Sequence, residues 1–437
     1  MKWHIISRIG EADTYEPALE GSEDYPLLLH FSGGAADTRV RESAVSAIEE
    51  RYEATLSGRA HDFLYASMSA YIADLCVPRQ SATDRWSRSF VLHLPVFDSD
   101  RWLQAAPNLC DALRFLTGDE WEIRTRDRAG DTPVPRRCEN EDRPRTVSLL
   151  SGGVDSLVGA IDLLDKGIPV AFVSHHGGGL TPKFQNDTYT ALRAQYGDVY
   201  SENQFFVVGP QIDDHGESSM RSRSVLFLGL GIAVATVLGD DVPLFVPENG
   251  LISLNIPLTR TRSGSSSTRT THPHFIQGIR SVLEALSIPN RIEMPYRHMT
   301  KGEMLSGVAD KQVLESVMSQ TMSCSHPEVA RWSGNTPGTH CGYCVPCLIR
   351  RAAVHAAGLE HCDAPYTCDV RVNRPTETRA RDLRAFEIAL CREALGRVPS
   401  FLRVLESGPL PAEEVGAFAG VFERGMGEVS AFLEREA

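Results

Sequence analysis

Thr146-Val147-Ser148-Leu149-Leu150-Ser151-Gly152-Gly153-Val154-Asp155-Ser156 is the stretch whose reading decides the fold, with Leu157–Lys166 and Gly167 directly after it. Its first five residues predict a short apolar strand, and residues 157–166 predict a helix ended by Gly167. Between them, Gly152 and Gly153 permit positive φ and close backbone approach to a ligand, while the helix N-terminus aims free N–H groups at an anion. Ser151 and Ser156 add hydroxyl donors, and Asp155 either caps the helix or approaches Mg2+ bound to phosphates. A lone Gly-Gly pair would be an ordinary capped turn. All six residues, Ser151, Gly152, Gly153, Val154, Asp155 and Ser156, at a strand–helix junction point to a phosphate site. The spacing matches neither Walker A nor Gly-x-Gly-x-x-Gly, which argues against a P-loop ATPase or a dinucleotide dehydrogenase.

Downstream, strand Val170–Ser174, helix Thr188–Tyr196, strand Gln204–Val208, helix Ser222–Leu238 and strand Val242–Pro247 alternate, which predicts an α/β, doubly wound parallel sheet over residues 145–355. Upstream, strands Trp3–Ile9, Pro26–Phe31, Ser89–Val96 and Trp121–Thr125 mix with helical pieces 42–56, 61–76 and 102–116. That mixture predicts an α+β N-terminal domain, 1–144, serving partner or substrate recognition. Residues 126–145 are charged and broken by prolines at 133, 135 and 144, a linker pattern. Residues 251–275 form a Ser/Thr/Arg/Gly-rich loop too long for a mere connector. Residues 356–437 read as a helical tail, with Leu383, Phe386, Leu390 and Leu395 at helical spacing.

Of the 437 residues, 44 are Lys or Arg and 57 are Asp or Glu, a formal charge of −13. This disfavours a nucleic-acid-coating surface. The deficit is uneven: windows 166–186, 218–239, 249–282 and 329–359 hold no acid at all and suit ATP and a small carboxylate. Met1–His4 does not open a secretory signal, and the longest apolar run, Val225–Gly239, is short of the ~18 to 20 residues a bilayer requires. With ten cysteines in no disulfide-like pattern, a reducing cytoplasm is expected.

Four of those cysteines, Cys324, Cys341, Cys344 and Cys347, have the spacing to close a tetrahedral, structural Zn2+ site. An iron–sulfur cluster shares the Cys-x2-Cys-x2-Cys pattern, and His340 offers an alternative ligand. Elsewhere, Arg223 opens an apolar helix at the end where the dipole disfavours a cation unless an anion is bound. His175-His176-Gly177-Gly178-Gly179 follows a strand at the carboxyl edge, where His176 and Gly177 are candidate nucleotide contacts. His272 and His274 read as polar loop residues, Arg350 and Arg351 as one inward and one solvated side chain. Cys76, Cys110 and Cys391 read as core.

Ser-Gly-Gly-x-Asp-Ser after the first strand of the α/β unit resembles the signature of the PP-loop ATP pyrophosphatases, which split ATP between the α and β phosphates. Adding Thr321-Met322-Ser323-Cys324, Cys341 through Arg350, Thr300-Lys301-Gly302-Glu303-Met304 and Arg223-Ser224-Val225-Leu226-Phe227-Leu228, residues 146–355 resemble the QueC family of 7-cyano-7-deazaguanine synthases. Ser224 departs from the Asn usual there. The longer loop after Pro247 and the added N-terminal region resemble the QueC-like proteins of bacterial anti-phage systems, the QatC family among them. The resemblance implies a ligase that adenylates a 7-carboxy-7-deazaguanine-like acid and passes it to an amine, with ATP, Mg2+ and Zn2+ as cofactors. It implies catalytic roles for Ser151, Asp155, Ser156, Lys301 and Arg223, and a partner protein of the same system as acceptor or complex partner. A PP-loop tRNA- or base-modifying enzyme and a non-catalytic ATP-binding scaffold are the alternatives.

Overall fold

The computed structural model describes every residue except 20, 33–38, 178, 198–200, 212–216, 218–220, 260–268, 329, 331–333, 335, 376, 397 and 435–437. Gly178, the middle of the long loop and Arg331 therefore lie outside the described residues. The strands are β1 (Lys2–Arg8), β2 (Asp24–His30), β3 (Val40–Glu42), β4 (Ser89–Val96), β5 (Glu120–Asp127), β6 (Thr146–Leu149), β7 (Val170–His176), β8 (Ser201–Pro210), β9 (Leu244–Phe245) and β10 (Ile292–Glu293).

The larger sheet has the order β10-β9-β6-β7-β8-β3 and is parallel except for β3, which pairs antiparallel with β8. Residues of β7 alternate between two cores. Val170 and Phe172 pack with Leu157, Ile161 and Leu192 of helices Val154–Asp165 and Thr181–Tyr196. Ala171 and Val173 pack with helix Arg223–Leu238 on the other face. Both faces are covered, as a parallel sheet requires. From β6 the chain proceeds outward to β7 and β8, then crosses to β9 on the far side of β6, so the strand order reverses between β6 and β9. That switch point is where open α/β sheets form a crevice at the strand carboxyl ends. Helix Val154–Asp165 approaches the end of β9 so closely that a Cβ on Gly159 would lie 2.4 Å from Pro247 Cβ.

The first 144 residues are not the α+β layer expected. Their sheet, β2-β1-β4-β5, is parallel in every pair, with helices Gly58–Cys76 and Ser99–Thr117 supplying crossovers. The physical sign is burial on both faces: Phe90 to Val96 of β4 is buried without a break. Nor is this layer packed by itself. Ile5, Phe63, Leu92 and Trp102 belong to one apolar cluster with Val225, Leu230 and Ile276, and β3 joins the larger sheet. Helix Gly58–Cys76 meets helix Arg223–Leu238 where a Cβ on Gly229 would come within 2.7 Å of Ser67.

The expected linker is also pinned. Arg136 bridges to Thr55, Cys138 N–H donates to Val237 O at 2.8 Å, and Arg143 Nε donates to Leu238 O at 2.7 Å. The last carbonyls of an α-helix lack intrahelical donors, and this segment supplies them. The tail is helical as expected, with Arg381–Ala394, Ser400–Leu405 and Val415–Leu433 packing Phe386, Phe418 and Phe422 on Leu348 and Ile349. Cys76 and Cys110 are partly buried and pack against the large apolar cluster, whereas Cys391 is exposed and not the core residue expected. Among the described residues no helix is long and apolar enough to cross a membrane.

Gly159→Ala is expected to destabilise the fold by ~1–3 kcal/mol through overpacking against the rigid Pro247 ring. Gly427→Ala, on a helix position with nothing within 4 Å, should stabilise by up to ~1 kcal/mol through helix propensity. Denaturant titration of the two variants tests the opposite signs.

Candidate functional site

Gly152 sits at φ +83°, and a Cβ there would meet the Gln185 backbone N at 3.0 Å, so the turn after β6 requires glycine twice over. Gly153 caps helix Val154–Asp165, Ser156 Oγ donates to Gly153 O at 2.8 Å, and Ser151 Oγ lies 3.3 Å from Ser156 Oγ. The two hydroxyls thus converge at the helix N-terminus. Gln185 is wholly buried beside this turn, with both amide atoms lacking a partner.

Asp155, in the first turn, points across the switch point. Lys301 Nζ donates to its Oδ1 at 2.5 Å and Asn249 Nδ2 to its Oδ2 at 2.7 Å. Lys301 is buried, not a solvated surface lysine, so its ammonium must have such a partner. Its position is built from three contacts. Thr300 and Glu303 form a capping box at the start of helix Lys301–Ser306. Thr300 Oγ1 also donates to Glu428. Asp162, two turns beyond Asp155 on the same helix, accepts from Tyr296 Oη at 2.5 Å and Ala309 N at 2.8 Å, clamping the Lys301 segment from both ends. Asp155 is thus one half of a buried ion pair.

Glu248 and Asn249, at the end of β9, were not singled out from sequence. Asn249 caps helix Gly250–Leu254 through Ile252 N at 3.0 Å while holding Asp155. The Glu248 carboxylate accepts from Thr271 Oγ1 at 2.5 Å and Thr270 Oγ1 at 3.3 Å. Burial pushes its pKa above the usual range, opposed by the Thr271 bond. The available signal was Pro247-Glu248-Asn249-Gly250, a polar turn directly after a strand at the reversal of strand order.

On the β7 side, Arg223 donates from Nη2 to His175 O at 3.2 Å and stands over the Phe227 ring at 5.2 Å. No carboxylate pairs with it among the described residues, its Nε has no partner, and burial pulls its pKa down. A Cβ on Gly177 would lie 3.4 Å from Arg223 Nη2. His176, expected beside the nucleotide, has its ring against Phe205. His175 is the buried histidine of the pair, its pKa lowered to about 3 chiefly by burial.

Cys324, Cys341, Cys344 and Cys347 are buried, with all four sulfurs within 4.8 Å of one another. Cys324 and Cys344 Sγ are 3.9 Å apart, and Cys341 and Cys347 Sγ 3.8 Å. Zn–S bonds of ~2.3 Å in a tetrahedron place sulfurs ~3.8 Å apart, so the residues fit that ion. Amides of His326 and Cys341 donate to Cys324 Sγ at 3.3 and 3.4 Å, which favours thiolate. His340 is turned to another task, its Nε2 accepting from Ser323 N at 3.1 Å. Arg350 and Arg351 are both buried, against the expected division. Arg350 donates to Thr321 O, Thr321 Oγ1 and Met318 O and pairs with Asp363. Arg351 pairs with Asp369 and stacks on Tyr366 and Phe432. His272 is a buried helix cap bonded to Ser407, not a loop residue open to substrate. The cysteine site reaches the Ser151–Ser156 turn directly, since Met322 N donates to Gly152 O at 2.8 Å.

No protein-family model and no curated protein matches the chain. Among solved structures it is similar to a ketoreductase domain from the bacillaene assembly line, at 12% identity over 72% of this chain and 85% of that one. The TM-score of that match is 0.21, too low to carry an argument about this chain.

Metal analysis of purified protein is expected to find one zinc per chain, without iron or absorption near 400 nm. Cys347→Ser, or chelation, should lower the unfolding free energy by at least ~3 kcal/mol, because a structural ion's binding energy is folding energy. Iron in place of zinc, or unchanged stability after metal removal, would contradict this assignment.

Proposed function

We propose that the chain is a QueC-like PP-loop ATP pyrophosphatase that adenylates a carboxylate, releases pyrophosphate and transfers the acyl group to an amine. The observation that carries this reading is the placement of the Ser151–Ser156 turn at the switch point of the parallel sheet, facing a buried lysine held by the turn's own aspartate. In this reading the turn's amides, the Ser151 and Ser156 hydroxyls and the positive end of helix Val154–Asp165 bind the departing phosphates. The substrate carboxylate oxygen attacks the α-phosphorus and the bond to the β-phosphate bridging oxygen breaks, giving acyl-adenylate and pyrophosphate. Lys301, oriented by Asp155, stabilises the charge that develops on the leaving group. The amine then attacks the acyl carbon, loses a proton, and AMP leaves. A divalent cation bound with ATP would neutralise phosphate charge. Positioning and electrostatics do the work, so no Ser–His–Asp or Cys–His constellation is required.

The motifs shared with deazaguanine synthases support a 7-carboxy-7-deazaguanine-like acid as substrate. The long N-terminal layer supports a protein amine as acceptor, within a cytoplasmic anti-phage system. Arg223, without a carboxylate partner among the described residues, is the second cation assigned to an anionic group of the substrates.

Pyrophosphate release from ATP with candidate carboxylates tests the reading. Ser151→Ala, Asp155→Ala and Lys301→Met are each expected to slow it by ~100-fold or more, the size typical for removing a preorganised stabilising group. Rates equal to wild type in all three variants would refute the assignment.

A further inference from the structure

We infer that the N-terminal helix Gly58–Cys76 is part of the anion site, with Asp74 as the positioning residue that holds Arg223. The inference rests on the role given above to Arg223 and adds a function for the first 144 residues. Arg223 is the first residue of a 16-residue helix, where the helix field opposes a cation. Its cap, Ser222, makes no side-chain bond to its own helix. Instead the cap is taken by a residue 148 positions away: Asp74 Oδ2 accepts from Ser222 N at 3.0 Å and from Ser222 Oγ at 2.8 Å. This carboxylate supplies the negative charge that the helix start lacks in its own sequence, where 218–239 contains no acid. It is itself immobile, being fully buried with Oδ1 bound by Arg88 Nη2 at 2.5 Å. Arg88 in turn bridges to Asp119, which also pairs with Arg79.

The same helix shapes the other wall. Tyr71, one turn before Asp74, packs edge-on against the His175 ring at 5.3 Å. His175 gives its carbonyl to Arg223, and its buried Nδ1 has no partner. Opposite the guanidinium lies Gly177, where a side chain would crowd Arg223 Nη2 and His175. Asp74 satisfies the helix amide and fixes the backbone at Ser222, while the guanidinium one residue later is turned toward the carboxyl edge of β7. Asp74 does not reach that edge and acts only through Ser222 and Arg223.

A double-mutant cycle on full-length protein, read by calorimetric binding of Mg-ATP, tests this. Arg223→Ala is expected to weaken binding about tenfold or more. Ser222→Ala, which leaves the buried ion network intact, and Asp74→Asn should each weaken it by roughly threefold to tenfold, the scale of a lost helix cap. In the Arg223→Ala background both should add less than about twofold, since coupled sites are not additive. Ser222→Ala binding like wild type, or losing the same factor without Arg223, overturns the inference and leaves Asp74 a stability residue, visible as a lowered Tm with unchanged affinity. Arg223→Ala binding like wild type overturns the inference together with the Arg223 assignment. Asp155→Ala, measured alongside, reports on the phosphate loop separately: its loss of binding keeps that reading when the Arg223 arm fails.

Discussion

The buried ion pair between Asp155 and Lys301 is the interaction on which the rest of the crevice depends. Burying a lysine is costly unless its charge is met, and here it is met by a carboxylate that Asn249 also holds. Three segments that are remote in sequence, the turn after β6, the turn after β9 and the start of helix Lys301–Ser306, are thereby drawn to one point. Breaking the pair leaves an unmatched charge beside Glu248, whose own carboxyl is already pushed up by burial. The arrangement is therefore tightly specified, because each alternative leaves a buried group without a partner.

The cysteine site serves the same crevice from the opposite side. Its four sulfurs fasten the segment 321–324 to the turn 341–347, and Arg350 adds hydrogen bonds to Met318 and Thr321. That double anchorage ends in the bond from Met322 N to Gly152 O. A metal held by these sulfurs would set the position of the Gly152 turn through one backbone hydrogen bond, provided the connecting segment is rigid. Arg350, bonded along its whole guanidinium, supplies that rigidity.

The N-terminal layer shares its apolar core with helix Arg223–Leu238 and is continuous with the site-bearing sheet through β3. Its parallel pairing was not legible in the sequence because β1 and β2 are joined by residues 9–23, whose described residues contain no helix, so the alternation that marks a parallel sheet is missing there. The segment 126–145 misled for a related reason. Its prolines and charges exclude regular structure, yet its donors still answer the open carbonyls of a helix end.

What the residues determined by themselves was local: the glycine turn with its two hydroxyls, the four-cysteine spacing, and the strand–helix alternation of 146–247. Each of these depends on φ preferences, ligand spacing or hydrophobic period within a short window, so neighbouring residues suffice to specify it. Tertiary structure alone decided which groups complete the site: Asn249 and Glu248 beside Asp155, Gln185 under the turn, Asp74 at the cap of the Arg223 helix. It also turned His176 toward Phe205 and drew both Arg350 and Arg351 inward. These pairings span up to 148 positions, and a buried charge selects its partner by position in space and desolvation, which no local pattern encodes.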